Sequence, residues 1–281
     1  MNKNSSDKKT AIMILVTFAV VIIVLLIIEF VPGIKYHEKT SKELLLEKYA
    51  ALNNEYGDYI AANGDLYPEE VLTWCGFGEG YNEDDMMLVY NYPAHVNDYD
   101  SMSFTDEELN CKEIPALYMT DTRWGYEYDG DGTISRDGCA AVSITMANLY
   151  LNHNSEVDPV KVMDYAYNND YIGFSGGIRS RHISDVLEHF GLKNTEHNFD
   201  KDEGGSGELT EAELKNALDK ENTAVMAAMY GETFSGHAII IRGYDENGFY
   251  INDPGDREKT EKVWKFDELK GELMRYWEIN A

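Results

Sequence analysis

One thiol at the head of a long uncharged stretch constrains this chain more than any other feature. Asp137-Gly138-Cys139 leads into Ala140 to Leu151, a mostly apolar run that predicts a buried helix. A cysteine at such a start lies where unpaired backbone N–H groups and the positive end of the helix dipole favour a thiolate. Gly138 supplies the tight turn in front of it. Far downstream, Ser235-Gly236-His237 opens the strand-like run Ala238-Ile239-Ile240-Ile241, and Phe249-Tyr250-Ile251-Asn252-Asp253-Pro254 follows. The fold must bring a cysteine, a histidine entering a strand and a carboxylate leaving one to a single place. That trio fits a nucleophile, its base and the group that orients the base.

The remaining signals give the layers around this trio. Asp158-Pro159 starts a helix to Tyr167, Ile178 to Phe190 is amphipathic and closed by Gly191, and Thr210-Glu-Ala-Glu213 caps a helix to Lys220. Three strands are expected at Thr223–Tyr230, His237–Tyr244 and Gly248–Asn252, and a closing helix at Phe266–Tyr276. Helices first and strands after describe an α+β domain over 114–281, its nucleophile helix packed on an antiparallel sheet. The 200–207 stretch reads as a flexible acidic loop.

The N-terminal part has a different character. Residues 1–10 are polar and carry Lys3, Lys8 and Lys9, and Ala11–Ile28 then runs eighteen residues without a charge. As a helix it would span about 27 Å, close to the hydrocarbon thickness of a bilayer. Glu-Phe-Val-Pro-Gly is no signal-peptidase exit, so 11–31 reads as an uncleaved transmembrane signal anchor. The basic N-terminus favours a cytoplasmic start and an extracytoplasmic C-terminal domain, single-pass at the cell membrane. Leu45, Tyr49, Leu52, Tyr56 and Tyr59 form a narrow seam in a stalk helix over 34–64, begun by the capping box at Thr40 to Glu43. A helical extension, 65–113, joins stalk to domain.

Charge and cysteine content exclude several classes. With 51 acidic against 24 basic residues the net charge is −27, which repels phosphate backbones and disfavours nucleic-acid binding. Solubility accounts for this acidity; cationic peptide substrates are the alternative. Three cysteines cannot build a disulfide scaffold, though a Cys75–Cys111 bridge would leave Cys139 free. No CxxC or similar spacing occurs, and the Asp/Gly-rich turn before Cys139 lacks the final glutamate of a calcium loop. No metal and no cofactor is expected, and nothing in the sequence sets an oligomeric state.

Several short motifs then occur in a telling order: Tyr67-Pro68-Glu69-Glu70, Asn91-Tyr92-Pro93, Asp121-Thr-Arg-Trp-Gly125, Gly138-Cys139, Gly236-His237, Asn252-Asp253-Pro254 and Trp264-Lys-Phe-Asp-Glu-Leu-Lys-Gly271. Together they resemble bacterial cysteine peptidases related to the bacteriocin-leader-processing peptidases, in membrane-anchored form. The resemblance spans Leu66 to Trp277. It implies a papain-like cysteine peptidase fold, a catalytic set of Cys139, His237 and Asp253, and a peptide or protein substrate. Met119 stands where that family carries a glutamine that resembles the oxyanion-hole donor of papain-like enzymes, and methionine cannot donate. Thr120, Asn252 and Trp124 are the other candidates on the oxyanion and substrate side. The family's Gly-Cys-Gly-Pro-Thr is here Gly138-Cys139-Ala140-Ala141-Val142. Two functions follow as expectations: hydrolysis of a peptide or amide bond through a thioester, or a catalytically weakened domain that binds peptide or cell-wall ligands.

Overall fold

Five antiparallel strands form one sheet, and the helix that begins at Cys139 lies against one of its faces. The computed structural model describes residues 13, 15–21, 39–78, 81–95, 103–127, 132–174 and 176–281. The anchor expected at 11–31 lies largely outside them, and its described part, 13 and 15–21, is helical with exposed side chains. Among the described residues no helix is long and apolar enough to cross a membrane.

The segment read as one stalk helix folds as two. Helix α1 (Ser41–Ala50) starts at the Thr40 capping box, where the Thr40 side chain accepts from Glu43 N–H and Glu43 from Thr40 N–H. The chain then turns at Asn53, in the left-handed region at φ 53°, and Asn54 caps α2 (Glu55–Ala62) by accepting from Gly57 N–H at 2.7 Å. Asparagine tolerates that conformation and caps well, so the Asn53-Asn54 pair outweighs the continuing apolar seam. Helix α2 packs back on α1. With α3 (Glu83–His95) they enclose a separate core of Tyr49, Ile60, Tyr67, Leu72, Met86 and Val89. This helical unit rests on the following domain through Tyr126, whose hydroxyl donates to Leu88 O at 2.6 Å, and through an Arg257–Asp84 ion pair at 2.7 Å.

In the larger domain, α4 (Cys139–Asn152) is the axis: every residue from Ala140 to Leu149 is buried. Helices α5 (Pro159–Asn168) and α6 (Ile183–His189) flank it. The strands are β1 (Lys193–Asn198), β2 (Ala224–Met229), β3 (His237–Tyr244), β4 (Phe249–Asn252) and β5 (Leu273–Asn280), with α7 (Glu211–Leu218) between β1 and β2. The sheet order is β1-β5-β2-β3-β4. Alternation along β2 divides the core: Ala224 and Met226 face α4, whereas Val225 and Ala227 join Leu214, Phe249, Trp264 and Tyr276 on the other face.

Two elements differ from the sequence expectation. The closing helix is only a turn, Phe266–Lys270, ended at Gly271, and the rest of that segment is β5, a central strand. Strand β1 was not expected at all; its Lys-Asn-Thr-Glu-His-Asn sequence has no apolar alternation and lies on the sheet edge. Cys75 and Cys111 are both free thiols, so the bridge between them is absent.

Candidate active site

The turn before α4 explains where the thiol sits. A helical turn, Ile134–Asp137, runs directly into Gly138, and a side chain at 138 would place its Cβ 2.6 Å from both Ile134 O and Ile134 Cγ2. Only glycine permits that approach, and Gly138 is the N-cap residue without a capping side chain. The first N–H groups of α4 are therefore left for other acceptors, and Ala140 N–H is directed at the Cys139 sulfur. Ala238 N–H, from β3, is directed at the same atom.

His237 enters from the sheet. It is the first residue of β3, follows Gly236 at φ 70°, and lines one cleft with Cys139. Its Nε2 lies 2.6 Å from Asp253 Oδ1, which leaves Nδ1 for the thiol side. Asp253 stands just past the end of β4, with its side chain fully buried. The same Oδ1 accepts from Gly255 N–H at 2.8 Å, and Asp253 N–H donates to Thr260 Oγ1 at 2.9 Å. Asp253 Oδ2 is buried with no hydrogen-bond partner among the described residues. Among the described residues the ring is the one cationic partner of this carboxylate, a setting that keeps a proton on the imidazole.

The charges agree with that geometry. Burial acts to lower the His237 pKa, but the Cys139 thiolate and the Asp253 carboxylate more than reverse this and push it up to about 10. For Cys139, burial acts to raise the pKa. The charge and hydrogen bond of His237, with the N–H groups of Ala238 and Ala140, outweigh it and hold the thiol below its ordinary value. The favoured state is a thiolate–imidazolium pair. It is lost as pH falls through the lowered thiol pKa and as pH rises through about 10.

Gly255 closes this group from behind. A Cβ there would stand 3.2 Å from His237 Cε1 and 3.5 Å from Asp253 Oδ1. Gly255→Ala is expected to tilt the ring and cut kcat about tenfold, since small misplacements of reacting groups carry large rate effects. Steady-state kinetics with a thermal melt would check it; an unchanged kcat in a folded variant would show that the ring has room to spare.

The other sequence candidates lie elsewhere. Met119 is buried and its N–H donates to Pro254 O at 2.7 Å, beside the Asp253 turn. Thr120 is half-buried next to it. Asn252 gives its amide hydrogens to Ile114 O and Pro115 O at 3.0 and 3.1 Å, which ties down the start of the domain and leaves none for an oxyanion. Trp124 is fully buried, donates to Tyr118 O at 2.8 Å and carries the Arg123 guanidinium 4.5 Å above its ring. Arg123 in turn pairs with Asp121 and Glu108, so this motif is a structural clamp. None of the four is among the residues lining the cleft.

Sequence reasoning missed the cleft walls. Gly173, Gly176 and Gly177 form one wall, with Gly173 N–H donating to Gly177 O at 2.8 Å and Gly176 and Gly177 lying against Asp137. These glycines gave the only signal. Across the cleft stand Tyr230 and residues of β2 and β5. Among the described residues no group of three or more histidine, cysteine or acidic side chains is placed to hold a metal ion.

The profile of the family described as Peptidase_C39 like matches residues 113–281, more than half of the chain. The chain belongs to this family. Membership suggests a cysteine peptidase domain, and hydrolysis is its expected class of chemistry. The matched span starts after the helical unit built on α1 to α3. Among solved structures, similarity is found to the peptidase domain of Streptococcus ComA, a bi-functional ABC transporter involved in a quorum sensing pathway. That match has 16% identity and a TM-score of 0.36, covering 52% of this chain and 93% of that one. A double glycine motif protease from an AMS/PCAT transporter, solved in complex with a leader peptide, matches at 16% identity and a TM-score of 0.35, covering 60% and 94%. Likeness of this degree adds nothing to the family match. No curated protein matches the chain.

Proposed function

We propose that this chain is a membrane-anchored, extracytoplasmic cysteine peptidase. The observation that carries the reading is the buried Asp253 carboxylate bonded to His237, beside a thiol whose pKa is lowered at a helix start. His237 holds Cys139 as thiolate; the sulfur attacks the substrate carbonyl, and the imidazolium protonates the departing amine. Water, activated by the now neutral ring, then hydrolyses the thioester. Asp253 keeps the ring oriented and stabilises its charged form throughout. The backbone N–H of Cys139, free of intrahelical bonding at the first position of α4, is the donor for the developing oxyanion.

The test is alkylation by iodoacetamide followed by peptide mapping. At pH 7, Cys139 is expected to react at least about tenfold faster than Cys75, whose thiol burial pushes up to about 12. The Cys139 rate should fall towards acid pH as the thiolate takes up a proton, and His237→Ala should remove the advantage. Equal, slow labelling of both thiols would reject the ion pair.

The absent side-chain donor favours one competing reading. Met119 brings no hydrogen-bond donor and Asn252 has its amide engaged, which fits a weakened domain that binds peptide or cell-wall material. Peptide-library cleavage by the soluble domain, with Cys139→Ala as the blank, separates the two.

Anchoring rests on the uncharged Ala11–Ile28 stretch and the lysines before it. Protease added outside intact cells is expected to digest the domain; full protection until lysis would reverse the orientation.

A further inference from the structure

His237 is delivered by the loop 230–236, which joins β2 to β3 and has no helix or strand of its own. Thr233, Ser235 and Gly236 are exposed, so the path of the loop depends on what its backbone is bonded to. Gly231 N–H and Gly236 N–H both donate to Phe234 O, at 2.7 and 3.1 Å. The N–H groups of Thr233 and Phe234 go instead to one side chain, the Glu272 carboxylate. Thr233 N–H donates to Oε1 at 3.0 Å and Phe234 N–H to Oε2 at 2.8 Å. Hydrogen bonds to an ionised acceptor are the stronger kind.

A fault in the sheet brings Glu272 to this place. Along the β2–β5 pair, Ala228 lies opposite Arg275, but the next residue, Met229, lies opposite Leu273, so Met274 is the extra residue of a β-bulge. In strict register Leu273 would stand opposite Tyr230. The bulge advances Glu272 into that position, where its carbonyl accepts from Tyr230 N–H at 2.7 Å. The fit is close: a Cβ on Gly231 would stand 2.4 Å from Glu272 Cγ and 2.5 Å from its Cδ. Burial acts to raise the carboxyl pKa, but the loop N–H groups and the charge of Lys259 outweigh it and hold the carboxyl below its ordinary value. Lys259 comes from the short helix Arg257–Glu261 and donates to Thr233 O at 3.2 Å, so the loop is held from two sides. What these bonds fix is Phe234. Its ring is buried against Trp264, 5.3 Å between centroids, and lies 6.3 Å from the His237 ring with the two planes 11° apart.

We propose that Glu272 is a positioning residue for the base: by binding the N–H groups of Thr233 and Phe234 it holds Phe234 beside His237, and so keeps the imidazole in reach of the Cys139 sulfur. Glu272 is not among the residues lining the cleft and acts only through the loop. This rests on the cysteine peptidase reading above, and the experiment keeps the two apart.

The test follows iodoacetamide alkylation of Cys139 against pH in the full chain, read by peptide mapping and set beside a thermal melt. At low pH the rate reports the thiolate that His237 maintains, whereas near about pH 9.5 an unassisted thiol is largely ionised as well. Glu272→Gln keeps the shape but loses one acceptor and the charge. It is expected to slow alkylation at about pH 6 by at least about threefold, and to leave the rate at about pH 9.5 within about twofold. Gly231→Ala, whose new methyl group displaces the carboxylate, should move the profile the same way. Glu232→Gln removes an exposed charge from the same loop and should leave the profile in place. An unmoved profile in folded Glu272→Gln, whatever its melting temperature, would overturn the positioning role and leave the peptidase reading intact. An equal shift in Glu232→Gln would do the same, by assigning the effect to charge alone. Should Glu272→Gln not fold, Gly231→Ala decides by the same criterion. Slow labelling of Cys139 at about pH 7 in the wild type would overturn the peptidase reading, and the role of Glu272 with it.

Discussion

Cys139→Ala is expected to abolish hydrolysis, lowering kcat by at least about 10³-fold, while the fold persists within about 1–2 kcal/mol. The exchange removes one sulfur from the start of α4 and leaves the buried body of that helix untouched. Its electrostatic effect reaches further than its steric one. The thiolate is among the chief groups that raise the His237 pKa to about 10, so its loss must let that pKa fall. An NMR titration of His237 in the variant should show deprotonation at lower pH than in the wild type, with Asp253 still supporting the charged ring. Activity that survives the substitution would remove Cys139 from the chemistry altogether.

Trp277→Ala is expected to have the largest effect on stability, about 3–5 kcal/mol, the usual range for emptying a large core aromatic site. Trp277 is fully buried on β5, pairs across the sheet with Met226, and donates its indole N–H to Ser184 Oγ at 3.0 Å. The same residue lines the cleft. Urea denaturation should show a lower midpoint with an unchanged slope, and Trp277→Phe should recover most of the loss. A shift under about 1 kcal/mol would mean that this side chain is not a structural support of the cleft.

The parts of the site carried by element starts and ends were readable from sequence. Gly138-Cys139 before a mostly apolar run, His237 before four apolar residues and Asp253 after a strand each carry a local signal, and the fold brings all three together. Strand β5 hid because its segment opens as Phe-Asp-Glu-Leu-Lys, a good helical turn, and because Arg275 and Glu278 break the apolar pattern. Both are buried as partners: Arg275 of Glu196 and Glu203, Glu278 of His197 and Lys220. Strand β1 depends on those same cross-strand pairs, which no local pattern encodes. Met119, Thr120, Asn252 and Trp124 were drawn to the oxyanion and substrate side by their neighbours in sequence, yet three of them are occupied in holding the chain between 114 and 125 or the Asp253 turn. The cleft walls needed the sheet register, and a bulge of one residue leaves no mark in composition.

The position of β5 in the sheet carries a consequence for biosynthesis. It pairs with β1 on one side and β2 on the other, and every strand it joins precedes it in the chain. As the polypeptide emerges from the ribosome, the nucleophile helix, the histidine and the aspartate are all present while one interior strand of the sheet is still missing. Until β5 slots in, β1 has no neighbour and the cleft lacks its floor at Trp277. Such long-range pairing is slow to form, because distant segments must meet before any contact rewards them. The nascent chain thus carries all three reactive groups before it can present a finished groove, a built-in delay between synthesis and competence.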